Sequence, residues 1–136
     1  MTKPKTHVRL DFSEGSSIGP GKIGLLEAIA TTGSLSAAAR ELGMSYRRAW
    51  LLLHSVNAGF DEPVADLSTG GVDGGGAKLT AFGQKLVKDY REFQRRVDAL
   101  AQKSFGGIQA SGTPAVEPVA PRRAINRSVT GTKRRR

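Results

Sequence analysis

The stretch that decides the fold is residues 33–50, GSLSAAARELGMSYRRAW. Gly33 can end a preceding helix, because glycine adopts the left-handed backbone conformation without a steric penalty. Ser34 can then cap a second helix, since its hydroxyl accepts a hydrogen bond from a free backbone amide. Gly43 predicts a break, and Ser45 can cap a third helix. The stretch therefore predicts two helices joined by a tight turn.

The outward start of the third helix carries the side chains best suited to nucleic acid. Ser45, Tyr46, Arg47 and Arg48 occupy it. An arginine at such a position can form two hydrogen bonds with guanine in the major groove, or bind phosphate. A helix-turn-helix presents its second helix in this way. The same layout also occurs in helical hairpins that only pack, and the motif alone leaves both interpretations open.

Hydrophobic periodicity predicts the neighbouring elements. Residues 7–12 alternate apolar and polar side chains like a half-buried strand, and residues 13–21 indicate a turn and a helix entry. A first helix is expected over residues 22–32, and the third extends to about Asn57. The predicted inner positions of the three helices are Ile23, Leu25, Leu26, Ile29 and Ala30, then Leu35, Ala38, Ala39 and Leu42, then Ala49, Leu52, Leu53 and Val56.

A glycine-rich segment follows the third helix. Two short strand candidates, residues 63–67 and 77–79, flank it and predict a β-hairpin with a mobile tip. A hairpin directly after a helix-turn-helix is a wing, and Lys78 with the amides of the tip would suit phosphate contacts. The segment does not match the phosphate-binding loop of nucleotide hydrolases, because Leu79 follows Lys78 where serine or threonine is required.

The fourth helix is predicted over residues 81–103, with Thr80 as its cap. Its apolar positions recur every three or four residues, close to a heptad repeat. A helix of this length, roughly 33 Å, exceeds what a small core covers, so we expect it to form a two-fold interface. The residues predicted for dimerisation are Phe82, Leu86, Tyr90, Phe93, Val97 and Leu100.

Composition divides the chain into three regions. The formal net charge is +9, and residues 105–136 carry seven of the 21 lysines and arginines but only one of the 12 acidic residues. We expect a flexible N-terminus at residues 1–6, a domain at residues 7–104 and a disordered basic tail at residues 105–136. The excess of basic residues favours nucleic acid as a partner. The alternative is that the basic tail is only solvated. The expected setting is the cytoplasm, at the nucleoid, because no signal sequence or membrane span is visible.

Side chains that could support catalysis or metal binding are isolated. The sequence has no cysteine, and His7 and His54 have no further ligand at metal-binding spacing. We therefore expect no metal, no cofactor and no enzymatic activity. Trp50 is expected to pack rather than to contact DNA, since large aromatic side chains dominate buried area. Leu51 is expected to face a partner subunit or a thymine methyl group.

Two longer motifs carry a resemblance to a known family. They are GLLEAIATTGSLSAAARELGMSYRRAW at residues 24–50 and LSTGGVDGGGAKLTAFGQKLVKDY at residues 67–90. Residues 8–103 resemble the N-terminal DNA-binding domain of the molybdate-responsive ModE regulators, which are related to LysR-type winged helices. The resemblance implies a mainly α winged helix-turn-helix with a small β-hairpin wing and a long C-terminal dimerisation helix. It implies DNA contacts at Ser45, Tyr46, Arg47 and Arg48, and at the wing through Thr69, Gly70 and Lys78.

The C-terminal region departs from that family, whose full-length members hold molybdate in C-terminal modules. Here residues 105–136 show no alternating strands, so we do not expect molybdate binding to carry over. The expected function is sequence-specific regulation of transcription by a homodimer on double-stranded DNA, with no membrane partner. A winged-helix adaptor that binds protein, or less favourably a small oxyanion-binding protein, remains an alternative.

Overall fold

The computed structural model describes residues 3–68 and 76–111. Within them the chain forms four helices and two antiparallel hairpins, which confirms a mainly α winged helix-turn-helix. The elements in chain order are β1 Leu10–Ser13, β2 Ser16–Ile18, α1 Pro20–Thr32, α2 Leu35–Glu41, α3 Tyr46–Gly59, β3 Ala65–Leu67, β4 Ala77–Leu79 and α4 Ala81–Phe105. Thr69, Gly70 and the predicted tail beyond residue 111 lie outside the described residues.

The N-terminal segment forms a hairpin where the pattern predicted one strand and a turn. β1 pairs with β2 through Leu10 opposite Ile18, and Gly15 turns the chain at φ 86°. β2 contains only three residues, two of them serines, so it has no apolar alternation to reveal it. The chain is also held before β1, because Thr6, expected in a flexible N-terminus, hydrogen-bonds to Asp98 of α4.

The turns and caps around α2 agree with the prediction. Gly33 ends α1 at φ 80°, and Gly43 has φ 68° before α3. The Ser34 hydroxyl accepts a hydrogen bond from the Ala37 amide at 3.0 Å, and the Ser45 hydroxyl accepts one from the Arg48 amide at 3.1 Å. These interactions satisfy amides that each helix start leaves unpaired, and they set the entry of α3.

Two of the predicted inner positions are wrong. Ala30 is exposed, as are Thr31 and Thr32 after it, although Ile29 just before it is buried, so the elements that cover the inner face of α1 reach only to Ile29. Ala28 is buried instead. Leu42 is 40% exposed because it is the C-cap residue of α2, where the helical geometry that would direct it inwards has ended. The other predicted positions are buried, apart from Leu52, which is partly buried.

The wing packs on the end of α3 and on the turn between α1 and α2. β3 and β4 pair antiparallel, with Asp66 opposite Lys78. The Asn57 side chain accepts hydrogen bonds from the Val64 and Ala65 amides and donates one to the Ala65 carbonyl. The Ala77 amide donates to the Gly33 carbonyl at 2.8 Å. The wing therefore has a fixed base beside the helix-turn-helix.

The apolar stripe of α4 is divided between two environments. Phe82 and Leu86 pack against the core, and Tyr90 is only 2% exposed, with its hydroxyl donating to the Val8 carbonyl at 2.6 Å. Burial raises the pKa of Tyr90, which keeps this hydroxyl protonated. Phe93 and Leu100, by contrast, are 40% and 62% exposed. The first half of the stripe belongs to the core of its own domain because α1, the wing and the N-terminal segment cover it.

Among residues 3–68 and 76–111, no helix combines the length and the apolarity needed to cross a lipid bilayer.

Candidate nucleic-acid interface

The first turn of α3 presents its polar side chains to solvent. Ser45, Tyr46, Arg47 and Arg48 are all exposed, and Tyr46 retains 54% of its accessible surface. Their exposure follows from the helix geometry, since Ala49, Leu53 and Val56 turn inwards and use the opposite face for packing. The structure thus exposes all four predicted recognition residues at the start of α3.

Arg47 and Arg48 are available for an external anion. Within the part of the chain that the structure describes, neither guanidinium forms a hydrogen bond or an ion pair. Both line an open depression of about 270 Å³ that continues along α3 to Leu51 and Leu52. An unpaired arginine keeps all its donors free for a planar acceptor such as a guanine edge or a phosphate.

The exposed chemistry of α3 extends beyond the predicted tip. Trp50 is 40% exposed, which corrects the expectation that it packs in the interior, and its ring stacks on His54 with centroids 4.8 Å apart. Leu51 is 48% exposed. Helical spacing could have indicated this, because Trp50 lies about 100° around α3 from Ala49, which is at the centre of the buried face formed with Leu53 and Val56.

The described part of the wing carries one cation, Lys78. Lys78 is exposed on β4, and it lines an open recess of about 410 Å³ together with Asp66 and Gly33. None of the ion pairs between described residues joins Lys78 to Asp66, although the two residues lie opposite each other in the hairpin. The predicted contacts at Thr69 and Gly70 lie outside the described residues and remain predictions.

The described residues offer this interface little other chemistry. In residues 3–68 and 76–111, no three histidine or acidic side chains converge in a way that could hold a metal ion. His7 and His54 are exposed. The arrangement of the interface, exposed arginines beside exposed aromatic and apolar side chains on one helix, is suited to binding a polyanion whose surface also contains apolar groups.

Known proteins share the region that builds this geometry. Residues 21–84, from α1 to the first turn of α4, match the sequence profile of bacterial regulatory helix-turn-helix proteins of the lysR family. The matched region contains the whole candidate interface.

Several curated proteins are similar over much of the chain. The molybdenum-pterin-binding protein MopB of Rhodobacter capsulatus is 43% identical over 86 residues, 63% of this chain and 32% of that protein. The molybdenum transport protein ModE of Azotobacter vinelandii is 34% identical over 117 residues, 80% of this chain and 43% of the relative. The transcriptional dual regulator ModE of Escherichia coli K12 is 41% identical over 83 residues, 61% of this chain and 29% of the regulator. The chain thus spans well under half the length of these relatives.

Proposed function

We propose that the protein is a dimeric transcriptional regulator that binds double-stranded DNA sequence-specifically, because residues 21–84 match LysR-type helix-turn-helix proteins and the chain is similar to ModE proteins. Such a regulator acts on the chromosome, so its place is the cytoplasm, at the nucleoid. The proposal rests on the two exposed guanidinium groups at the start of α3, those of Arg47 and Arg48, which form no ion pair with another described residue.

In this proposal α3 lies in the major groove and the wing follows the adjacent backbone. Arg47 and Arg48 contact base edges or phosphates, with Ser45 and Tyr46 beside them. Lys78 contacts phosphate, and we extend the same role to Thr69 and Gly70 and to the arginines of residues 122–136 on the basis of their sequence alone.

The proposed dimer interface is narrower than the sequence pattern indicated. Tyr90 is buried in its own domain, and Phe82 and Leu86 pack against that core. Phe93 and Leu100 stay exposed on the second half of α4, with Val97 between them partly exposed. We assign the two-fold contact to these three residues. Two recognition helices on one face of the duplex would then read half-sites about 34 Å apart.

The names of the relatives associate them with molybdenum, and the proposal does not transfer that association to this chain. We propose a protein that binds DNA and catalyses no reaction, and we assign no oxyanion site to the described residues.

The proposal predicts that removing either guanidinium weakens specific binding. We expect Arg47→Ala or Arg48→Ala to reduce the free energy of binding to a duplex selected from a random library by about 1–3 kcal/mol, the usual value of a bidentate arginine–guanine contact. Fluorescence anisotropy at fixed salt measures this. Arg95→Ala is the matched control, because Arg95 lies on α4 in an exposed pair with Glu92. Affinity equal to wild type in both α3 variants would contradict the proposal.

A protein-binding adaptor remains the second candidate, and the exposed Leu51 and Trp50 favour it. Retention on heparin and on random duplex DNA separates the two functions. A DNA-binding regulator should elute from both at high salt, since its affinity rests on neutralised phosphates, whereas an adaptor should elute at low salt.

A further inference from the structure

The second half of α4 is attached to the rest of the domain by polar contacts. Phe82, Leu86, Val87 and Tyr90 account for the described apolar packing of this helix on the core. Beyond Tyr90 the helix continues for about 22 Å to Phe105 at 1.5 Å per residue. No side chain in that half is part of the apolar core within the described residues.

An ion pair between α1 and α4 supplies the main connection. The Arg91 Nε and Nη2 atoms donate to the two carboxylate oxygens of Glu27, each at 2.7 Å, in a bidentate arrangement. The Arg91 Nη1 atom also donates to Gln94 Oε1 at 2.5 Å. The side chains of Arg91 and Glu27 remain 35% and 40% exposed, respectively. Bidentate geometry fixes orientation as well as distance, which single contacts between flexible side chains do not do.

The connection continues to the N-terminal segment. The Gln94 side-chain amide donates to the Thr6 carbonyl at 3.3 Å, and the Thr6 amide donates to Asp98 Oδ1 at 3.1 Å. Glu27, Arg91, Gln94, Thr6 and Asp98 thus form one network across α1, α4 and the chain before β1. We call these five residues the α4 clamp.

The pair of Glu27 and Arg91 differs from the other described ion pairs. Those of Arg9 with Asp11, Lys85 with Asp89 and Arg95 with Glu92 each join residues at most four positions apart, and all are more exposed. Among residues 3–68 and 76–111, the Glu27–Arg91 pair alone joins two different helices. Because the pair is bidentate and joins two helices, it restrains their relative orientation, which points to a geometric role.

We propose that the α4 clamp fixes the angle between α4 and the helix-turn-helix, and that this angle determines which spacing of DNA half-sites the dimer accepts. The second statement rests on the dimeric regulator proposed above. A tilt of about 10° at Arg91 would move the far end of α4 by roughly 4 Å, from the length of helix beyond that residue. That displacement exceeds the rise of about 3.4 Å between successive base pairs.

Half-site spacing provides the first test. Operators with the preferred spacing and with one base pair more or less are compared by anisotropy at fixed salt. We expect Glu27→Gln and Arg91→Gln to reduce the preference for the best spacing by about fivefold or more, within the usual range for coupling between sites. Binding to a single half-site should stay at the wild-type level, because the clamp lies outside the recognition surface.

The two variants provide their own electrostatic control. Glu27→Gln makes the protein more positive and Arg91→Gln makes it less positive, so an effect of net charge on DNA binding would have opposite signs in the two. If the α4 clamp determines the spacing, Glu27→Gln and Arg91→Gln should show the same loss of spacing preference. Lys85→Gln, which breaks a pair within α4, should leave the preference intact. The exchange Glu27→Arg with Arg91→Glu should restore part of it.

A distance measurement tests the angle without DNA. The sequence has no cysteine, so spin labels at Ser36→Cys on α2 and Lys103→Cys on α4, both exposed, report one distance in the full chain. Dilution with unlabelled protein isolates the distance within one protomer. We expect a single narrow distribution that broadens in Glu27→Gln and Arg91→Gln and narrows again in the exchanged pair.

The outcomes separate this inference from the proposed function. If the spin-label distance distribution and the spacing preference are both unchanged in Glu27→Gln and Arg91→Gln, the proposed role of the α4 clamp is wrong. That result would leave the proposal of a dimeric regulator intact. A wild-type protein that does not dimerise, or binds all spacings equally, would overturn the dimeric regulator and the spacing statement together. The distance distribution would still decide, by its width, whether the pair fixes the angle of α4.

Discussion

Trp50 illustrates how one position on a helix decides the role of a side chain. It is the only tryptophan in the sequence and it lies on α3, one turn from the start of the proposed recognition surface. A tryptophan is usually buried, yet this one is 40% exposed and stacked on His54, because the inner face of α3 is filled by smaller side chains. The fluorescence of this indole should therefore change when another molecule covers α3.

We expect specific DNA to cover this indole. Adding the selected duplex should shift the tryptophan emission to shorter wavelength and reduce its quenching by acrylamide, since water is excluded when α3 enters the groove. Because the sequence contains a single tryptophan, the change reports on α3 alone. Arg47→Ala at the same protein and DNA concentrations should show a smaller change. Unaltered quenching at saturating duplex would contradict docking through α3.

The start of α4 closely approaches the base of the wing at one position, Gly83. A Cβ atom built on Gly83 would lie 2.0 Å from the Val64 carbonyl oxygen, which no real Cβ contact permits. The same residue donates its amide to the capping hydroxyl of Thr80 at 3.0 Å. A side chain at this position would therefore push the start of α4 away from β3 and disturb the base of the wing.

Gly83→Ala should destabilise the domain, by about 1–3 kcal/mol or more, because backbone atoms must move to admit the methyl group. Gly24→Ala in α1 is the matched control, since nothing lies within 4 Å of a Cβ built there. Alanine should stabilise that helix by up to about 1 kcal/mol. Urea unfolding followed by circular dichroism measures both variants. A urea midpoint of Gly83→Ala equal to that of wild type would show that the base of the wing moves to admit the methyl group without loss of stability.

The periodicity of α4 illustrates a limit of element-level prediction. Spacing by three and four residues indicates which side chains share a face, and it predicted the stripe from Phe82 to Leu100. It does not indicate what covers that face. The structure covers the part up to Tyr90 with residues of the same domain and leaves Phe93 and Leu100 exposed.

Most of the net charge lies in the C-terminal part of the sequence. Residues 122–136 contain seven basic residues and no acidic residue, which is +7 of the formal net charge of +9. If this segment binds phosphate, it adds affinity without sequence preference.

Replacing the seven basic residues of 122–136 with glutamine tests this at unchanged length. The slope of log affinity against log salt should decrease in magnitude by about 0.9 for each phosphate that the segment no longer neutralises. Preference for the selected duplex over random DNA should be retained, since the recognition residues on α3 are intact. A slope equal to that of wild type would remove the segment from DNA binding.

Local features of the fold and of the candidate site could be predicted from the sequence. The positive-φ turns at Gly33 and Gly43, the caps at Ser34, Ser45 and Thr80, and the hairpin after α3 all agree with the structure. Each depends on residues within about one helical turn or one hairpin, where backbone sterics and a single hydrogen bond decide the conformation. The surface position of Arg47 and Arg48 followed from the same local geometry.

Tertiary structure alone decided which side chains are covered. The division of the α4 stripe could not be read from local patterns, because it depends on elements that are distant in the sequence. Glu27 and Arg91 show the reason most directly. They lie 64 residues apart, and only the packing of α4 across α1 places their charged groups 2.7 Å from each other.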